Sequence, residues 1–133
     1  MRPFHLAISV SDLQISRNFY ENILGCTIGR SSEKWIDFNF FHHQLVIHQT
    51  DNIKKNKFNS IDGHVVPVPH FGVILEFDQW CEFSDLIKNK IDFLIEPYIR
   101  FKGEVGEQAT MFFLDPDHNA LEFKALKNDS MIF

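Results

Sequence analysis

The sequence predicts an α+β fold: two tandem βαβββ modules forming a cupped, barrel-like mixed sheet with the helices outside. Three observations predict it. The stretches FHLAISV and HFGVILEF each place a histidine at the head of a short apolar run, and the two histidines, His5 and His70, stand 65 positions apart. Each run is followed by a helical pattern and then by three strand-like runs. A stretch from 50 to 69, polar at first and then carrying Gly63, Pro67 and Pro69, separates the two halves. The reading is one domain over 1–133: module 1 at about 4–49, a linker at 50–69 and module 2 at about 70–127.

In the first module, Phe4–Val10 alternates as a strand, with Leu6, Ile8 and Val10 on one face and His5, Ala7 and Ser9 on the other. The stretch SDLQ follows, and Ser11 with Gln14 three residues on has the form of a capping box. A helix to about Leu24 is expected. Its apolar stripe is Ile15, Phe19 and Ile23, widened by Tyr20 and Leu24, and Gly25 ends it. Strands are expected near 27–30, 35–41 and 44–49. In the second module the order recurs. A strand spans 71–77, Asp78 caps a helix to about Lys90 with Trp80, Phe83 and Ile87 as its stripe, and strands follow near 95–101, 109–114 and 120–126. The stretch DPDHN joins the last two as a turn.

Composition excludes several function classes. A chain of 133 residues with 44% hydrophobic residues and 15 Phe can bury a core, so a disordered class does not fit. The net charge is −5, with acids and bases mixed and no basic tract, which argues against nucleic acid. The KKNK run at 54–57 is read as a solvated loop. No apolar run approaches the roughly 20 residues of a membrane helix, and no signal peptide is expected. Cys26 and Cys81 form no close-spaced metal pair. Two scattered thiols read as packing residues in a reducing compartment, the cytoplasm.

Parity then selects the chemistry. A single βαβββ unit covers one face of its sheet with a helix, and two units can turn their bare faces inward around a cleft. His5 and His70 lie opposite the helix-facing set, so both point into that cleft. In the last strand Leu121 and Phe123 alternate with Glu122 and Lys124, which turns Glu122 inward as well. One histidine at a strand start is usually a hydrogen-bonded surface residue. Two at equivalent repeat positions, with an inward carboxylate, form a two-histidine, one-carboxylate set for a divalent metal. Nitrogen and oxygen donors without sulfur suit Fe(II), Mn(II), Ni(II), Co(II) or Zn(II).

FHLAISVSDLQISRNFYENILGC, PHFGVILEF and MFFLDPDHNALEF together resemble the vicinal oxygen chelate superfamily, which includes glyoxalases, bleomycin-resistance proteins and extradiol dioxygenases. The resemblance spans 4–127, with His118 where members usually carry Gly. It implies a metal acting as Lewis acid on a small substrate bound through adjacent oxygens. Three of the four usual ligand positions are His5, His70 and Glu122; the fourth falls on Val46, which cannot ligate. A three-ligand pattern resembles extradiol dioxygenases and fosfomycin thiol transferases. An Fe(II)-dependent dioxygenase is therefore the first expectation. A glyoxalase-like lyase or isomerase, or a thiol transferase, is the second, and a metal-free drug-binding protein the third. His48 is a candidate general base or occasional fourth ligand. Tyr98 and Arg100 are candidates for binding substrate, with Arg100 suited to an anion. The expected assembly is a homodimer, paired within each chain or by exchange of modules.

Overall fold

The computed structural model describes every residue except 54–56 and 62. The chain divides into two compact units: Met1–Lys55 with Asp115–Asn119, and Asn56–Leu114 with Ala120–Phe133.

The first unit carries β1 (His5–Val10), α1 (Leu13–Arg17), β2 (Thr27–Ser31), β3 (Trp35–Phe40) and β4 (His43–Gln49). The sheet order is β1-β4-β3-β2, with β1 parallel to β4 and the other pairs antiparallel. The second unit adds a hairpin, β5 (Lys57–Ile61) with β6 (His64–Val68), and then repeats the plan. The repeat consists of β7 (His70–Phe71), β8 (Ile74–Leu75), α2 (Phe77–Ile87), β9 (Phe93–Arg100), β10 (Gln108–Leu114) and β11 (Ala120–Leu126). Here β7 and β8 together pair parallel with β11, which pairs with β10 and then β9. Both sheets therefore follow the same order, first strand, fourth, third, second, and neither closes into a barrel. No helix among the described residues is long and apolar enough to cross a membrane.

The helix stripes bury as their spacing requires. On α2, Trp80, Phe83 and Ile87 are buried against the sheet. Phe83 meets Phe123 at 4.7 Å between ring centres, and Trp80 Nε1 donates to the Phe123 carbonyl at 2.8 Å. Each such side chain contributes roughly 1.5–3 kcal/mol by burial. In the first unit Phe19, Tyr20 and Leu24 are buried with Phe38, Leu45 and Ile47.

Several expectations are corrected. The cap of α1 is Asp12, whose side chain accepts from the Gln14 and Ile15 amides, because Ser11 is taken up by Asp117. The helix changes pitch after Arg17 into a π-helical stretch, Asn18–Ile23, which turns Ile15 outward. Gly25 does end it, at φ +77. Glu76, without a side-chain bond, precedes α2, and Asp78 sits in its first turn. The expected strand at 71–77 is interrupted between β7 and β8. The expected linker folds, in its second half, into the β5–β6 hairpin. Of the KKNK run, 54–56 lie outside the described residues and Lys57 begins β5. Cys26 is buried and its thiol is pushed up to about 12 by that burial, but Cys81 lies exposed on α2 and is not a packing residue.

The DPDHN turn holds the first unit together. Asp115 Oδ1 accepts the Asp117 and Asn119 amides, and Oδ2 accepts Tyr20 Oη at 2.8 Å and Asn119 Nδ2 at 2.8 Å. Asn119 also donates to the Ser9 carbonyl, and His118 adopts φ +62. Burial raises the Asp115 carboxyl above its usual range, while the bonds from Asn119 and Tyr20 oppose that rise. A raised folded value means that this group favours folding most below the ordinary carboxylate range and loses that contribution as pH rises through it. The donors nevertheless decide the cost of removal. Asp115→Ala is expected to destabilise the chain by about 2–4 kcal/mol, because it orphans the fully buried Tyr20 hydroxyl and three other donors. Urea unfolding at neutral pH measures this; a loss below about 1 kcal/mol would show that water replaces the carboxylate.

Candidate metal centre

His70 opens β7, and the parallel register sets it beside Ala120 on β11, two residues before Glu122. Its Nδ1 lies 2.8 Å from the Pro67 carbonyl oxygen. A carbonyl only accepts, so Nδ1 carries a proton, and Nε2 is the nitrogen that would offer a lone pair to a metal. Nε2 faces Glu122 Oε2 at 3.2 Å. The other carboxylate oxygen, Oε1, accepts from Thr110 Oγ1 at 2.7 Å across the β10–β11 pair. Both side chains are thus held by second partners, and Nε2 and Oε2 are directed to the same place, in contact with each other.

The backbone makes this approach feasible at Gly72. A Cβ built there would fall 1.6 Å from the Glu122 carbonyl oxygen. Only glycine lets the first strand lie this close to the strand that bears the carboxylate.

The β5–β6 hairpin walls one side. Val66 forms a buried cluster with Ile95 and Phe112, with Tyr98 packed against it. His64 faces the Tyr98 ring at 5.2 Å, and His70 meets Phe112 edge-on at 5.1 Å. A pocket of about 180 Å³ results, lined by His64, His70, Tyr98, Arg100, Glu122 and Lys124 among others. The Arg100 guanidinium lies 5.0 Å from the Phe101 ring. Two fixed cations and one carboxylate give this pocket room and charge for a small anion.

His5 belongs to the first unit, where it is exposed and in register with Gln44. Its Nδ1 lies 2.8 Å from Gln44 Oε1. Val46 stands two residues beyond Gln44, as Glu122 stands two beyond Ala120, and it is buried. His48 is exposed on β4 opposite Ser9 and Trp35. His42 is exposed, but His43 is half-buried and its Nδ1 accepts the Phe4 amide. Among the described residues no three His, Cys, Asp or Glu side chains gather into one metal-holding group.

The structure therefore brings together His70, Glu122, Tyr98 and Arg100. Sequence reasoning missed His64, hidden in the segment read as linker, and Thr110, whose place beside Glu122 depends on the β10–β11 register. It also missed Gln44, although the strand alignment that selects Val46 sets Gln44 at the position matching Ala120.

The pattern of the Glyoxalase/Bleomycin resistance protein/Dioxygenase superfamily matches residues 2–123. The chain belongs to this superfamily. A glyoxalase/bleomycin resistance protein/dioxygenase from Alicyclobacillus acidocaldarius superposes with a TM-score of 0.82 at 32% identity, covering 98% of this chain and 96% of the other. The metallothiol transferase FosB of Staphylococcus epidermidis is 27% identical over 122 residues, 89% of this chain and 77% of that protein. The fosfomycin resistance protein FosX of Listeria monocytogenes superposes with a TM-score of 0.71 at 19% identity, over 96% of this chain and 95% of that one, a likeness of fold.

Gly72→Ala is expected to push β7 and β8 off β11 and to destabilise the chain by about 1–3 kcal/mol or more. The expected signature is a separation of His70 from Glu122, read as a change in the His70 ring signals by NMR. An unperturbed spectrum and an unchanged unfolding midpoint would show that the strands tolerate the added methyl.

Proposed function

We propose that this superfamily member is a divalent-metal-dependent transferase that adds a thiol to a small anionic substrate. The observation that carries the reading is the convergence of His70 Nε2 and Glu122 Oε2 at 3.2 Å in a pocket that also holds Arg100 and Lys124. The donor chemistry fits a divalent ion: one imidazole nitrogen with its proton held on the far side, and one carboxylate oxygen with its neighbour already bonded. His70 and Glu122 would hold the ion, with His5 as the third ligand, and Val46 leaves the fourth position to substrate. When bound, the metal supplies Lewis-acid polarisation of a substrate oxygen. Mn(II), Ni(II), Co(II) and Zn(II) serve that role as well as Fe(II), because no redox change is needed.

The chain's own residues supply the rest. Arg100 and Lys124 hold the anion, Tyr98 orients it, and the hairpin with Val66 and Phe112 limits its size. His48 is assigned as the proton acceptor. Thiol transfer takes precedence over the ring-cleaving oxygenation first expected, since the curated relatives are metallothiol transferases and a cationic pocket suits an anion better than a neutral catechol.

Each of His5→Ala, His70→Ala and Glu122→Ala is expected to reduce bound metal at least about 10-fold with the fold retained. The Mn(II)-loaded wild type is expected to join low-molecular-weight thiols to fosfomycin, detected as adduct mass. Full metal content in the variants would overturn the ligand set. Absent adduct together with O2 uptake on catechols would return the assignment to a dioxygenase.

The working form is proposed to be a homodimer in which the modules exchange, so that His5 of one copy serves with His70 and Glu122 of the other. Mixing His5→Ala chains with Glu122→Ala chains should then restore up to one metal site per heterodimer. No recovery of metal would leave only the unexchanged pairing, and a monomer by light scattering would end both.

A further inference from the structure

Asp37 is a buried carboxylate on β3, only 6% exposed, on a strand whose neighbours are mostly apolar. Its Oδ2 accepts from Gln44 Nε2 at 3.2 Å and lies 3.4 Å from Arg30 Nε. Gln44 then reaches His5 with its other end, Oε1 to Nδ1 at 2.8 Å. Four residues thus form one polar line across the sheet of the first unit: Arg30, Asp37, Gln44, His5.

The direction of that line is determined by hydrogen-bond chemistry. An arginine-paired carboxylate only accepts, so the Gln44 amide must turn its NH2 toward Asp37. Its carbonyl end therefore faces His5. That oxygen also only accepts, so the proton of a neutral His5 ring must sit on Nδ1. The opposite tautomer would set a ring lone pair against the amide oxygen. Flipping the amide to accommodate it would set that oxygen against the Asp37 carboxylate. The backbone fixes the participants, since Gln44 pairs with His5 on one side and Asn39 on the other, and its amide donates to the Phe4 carbonyl at 2.8 Å.

The second unit reaches the same end by another route. His70 has its Nδ1 proton held by the Pro67 backbone carbonyl, and the residue in register with it is Ala120, which has no side chain to do so. In the first unit a glutamine side chain provides the carbonyl that the β6–β7 junction provides in the second.

We propose that Asp37 and Gln44 form a positioning relay that locks His5 in its Nδ1–H tautomer and so presents Nε2 as a lone-pair donor. This rests on, and deepens, the assignment of His5 as a metal ligand, yet the tautomer is a property of the metal-free chain and is read without metal.

The test is a long-range 1H–15N correlation on full-length, metal-free protein with 15N-labelled histidine, at a pH where the imidazoles are neutral. Wild type should show His5 as a single Nδ1–H tautomer. Gln44→Leu should move it toward the Nε2–H form that free histidine prefers. Asp37→Asn, which can donate as well as accept, should free the amide to turn and give a mixture. Mn(II) affinity should fall about 10-fold in both variants. An Nε2–H ring at His5 in wild type would overturn the relay, and so would a single Nδ1–H ring that persists in Gln44→Leu. The wild-type spectrum decides the point even if a variant fails to fold. A locked tautomer combined with full metal content in His5→Ala would uphold the relay and overturn the ligand assignment.

Discussion

The parallel pairing of the first strand of each module with its last governs the rest of the structure. It joins β1 to β4 and β7–β8 to β11, so residues far apart in the chain become neighbours one strand spacing apart. Parallel neighbours need a crossover, and the helix of each module provides it while covering one face of the sheet. The other face then carries whatever the alternate positions hold. His70, Glu122 and Lys124 lie there in the second unit, and His5, Gln44 and Asp37 are the polar set bonded together in the first. Gly72 shows how tight this pairing is: no larger residue fits beside the Glu122 carbonyl.

Polar groups in these units are satisfied by partners chosen for direction as much as for strength. Pro67, Thr110 and Gln44 each bond one donor atom of a candidate ligand and thereby orient the other. An exposed hydrogen bond such as that of His5 adds little to stability, about 0.5–1.5 kcal/mol at most. Its effect is on which nitrogen is available, and that matters to a metal far more than to the fold. Asp115 is the structural counterpart. Four donors converge on one carboxylate and fasten the DPDHN turn to Tyr20.

The two modules differ where their chemistry differs. Val46 occupies the place that Glu122 holds in the second, and Gln44 the place of Ala120. The hairpin β5–β6 exists only ahead of the second module and lies over its sheet through Val66, Ile95 and Phe112. The asymmetry gives the second unit a walled, charged pocket and the first an extended polar line.

Alternation and helical spacing are local properties, and they settle much of this protein before any folding is considered. The duplicated element order, the buried stripe Trp80, Phe83 and Ile87, the turn at DPDHN and the alternation of Glu122 with the buried Leu121 and Phe123 follow from period 2 and period 3.6 alone. The cap at Asp12, the interruption at Gly72 and the hairpin in the supposed linker do not. Ser11 loses its capping role because Asp117, over a hundred residues away, claims its hydroxyl. The hairpin strands are short and largely exposed, so they carry no alternating apolar signal. Thr110, Gln44 and His64 gain their places only through strand register and hairpin packing, which are relations between segments. The sequence by itself determined the repeat and which faces its histidines and Glu122 occupy, because side-chain parity is set by neighbouring residues. Tertiary structure alone decided which atom of each donor is taken by a supporting bond, because that depends on partners brought in from other segments.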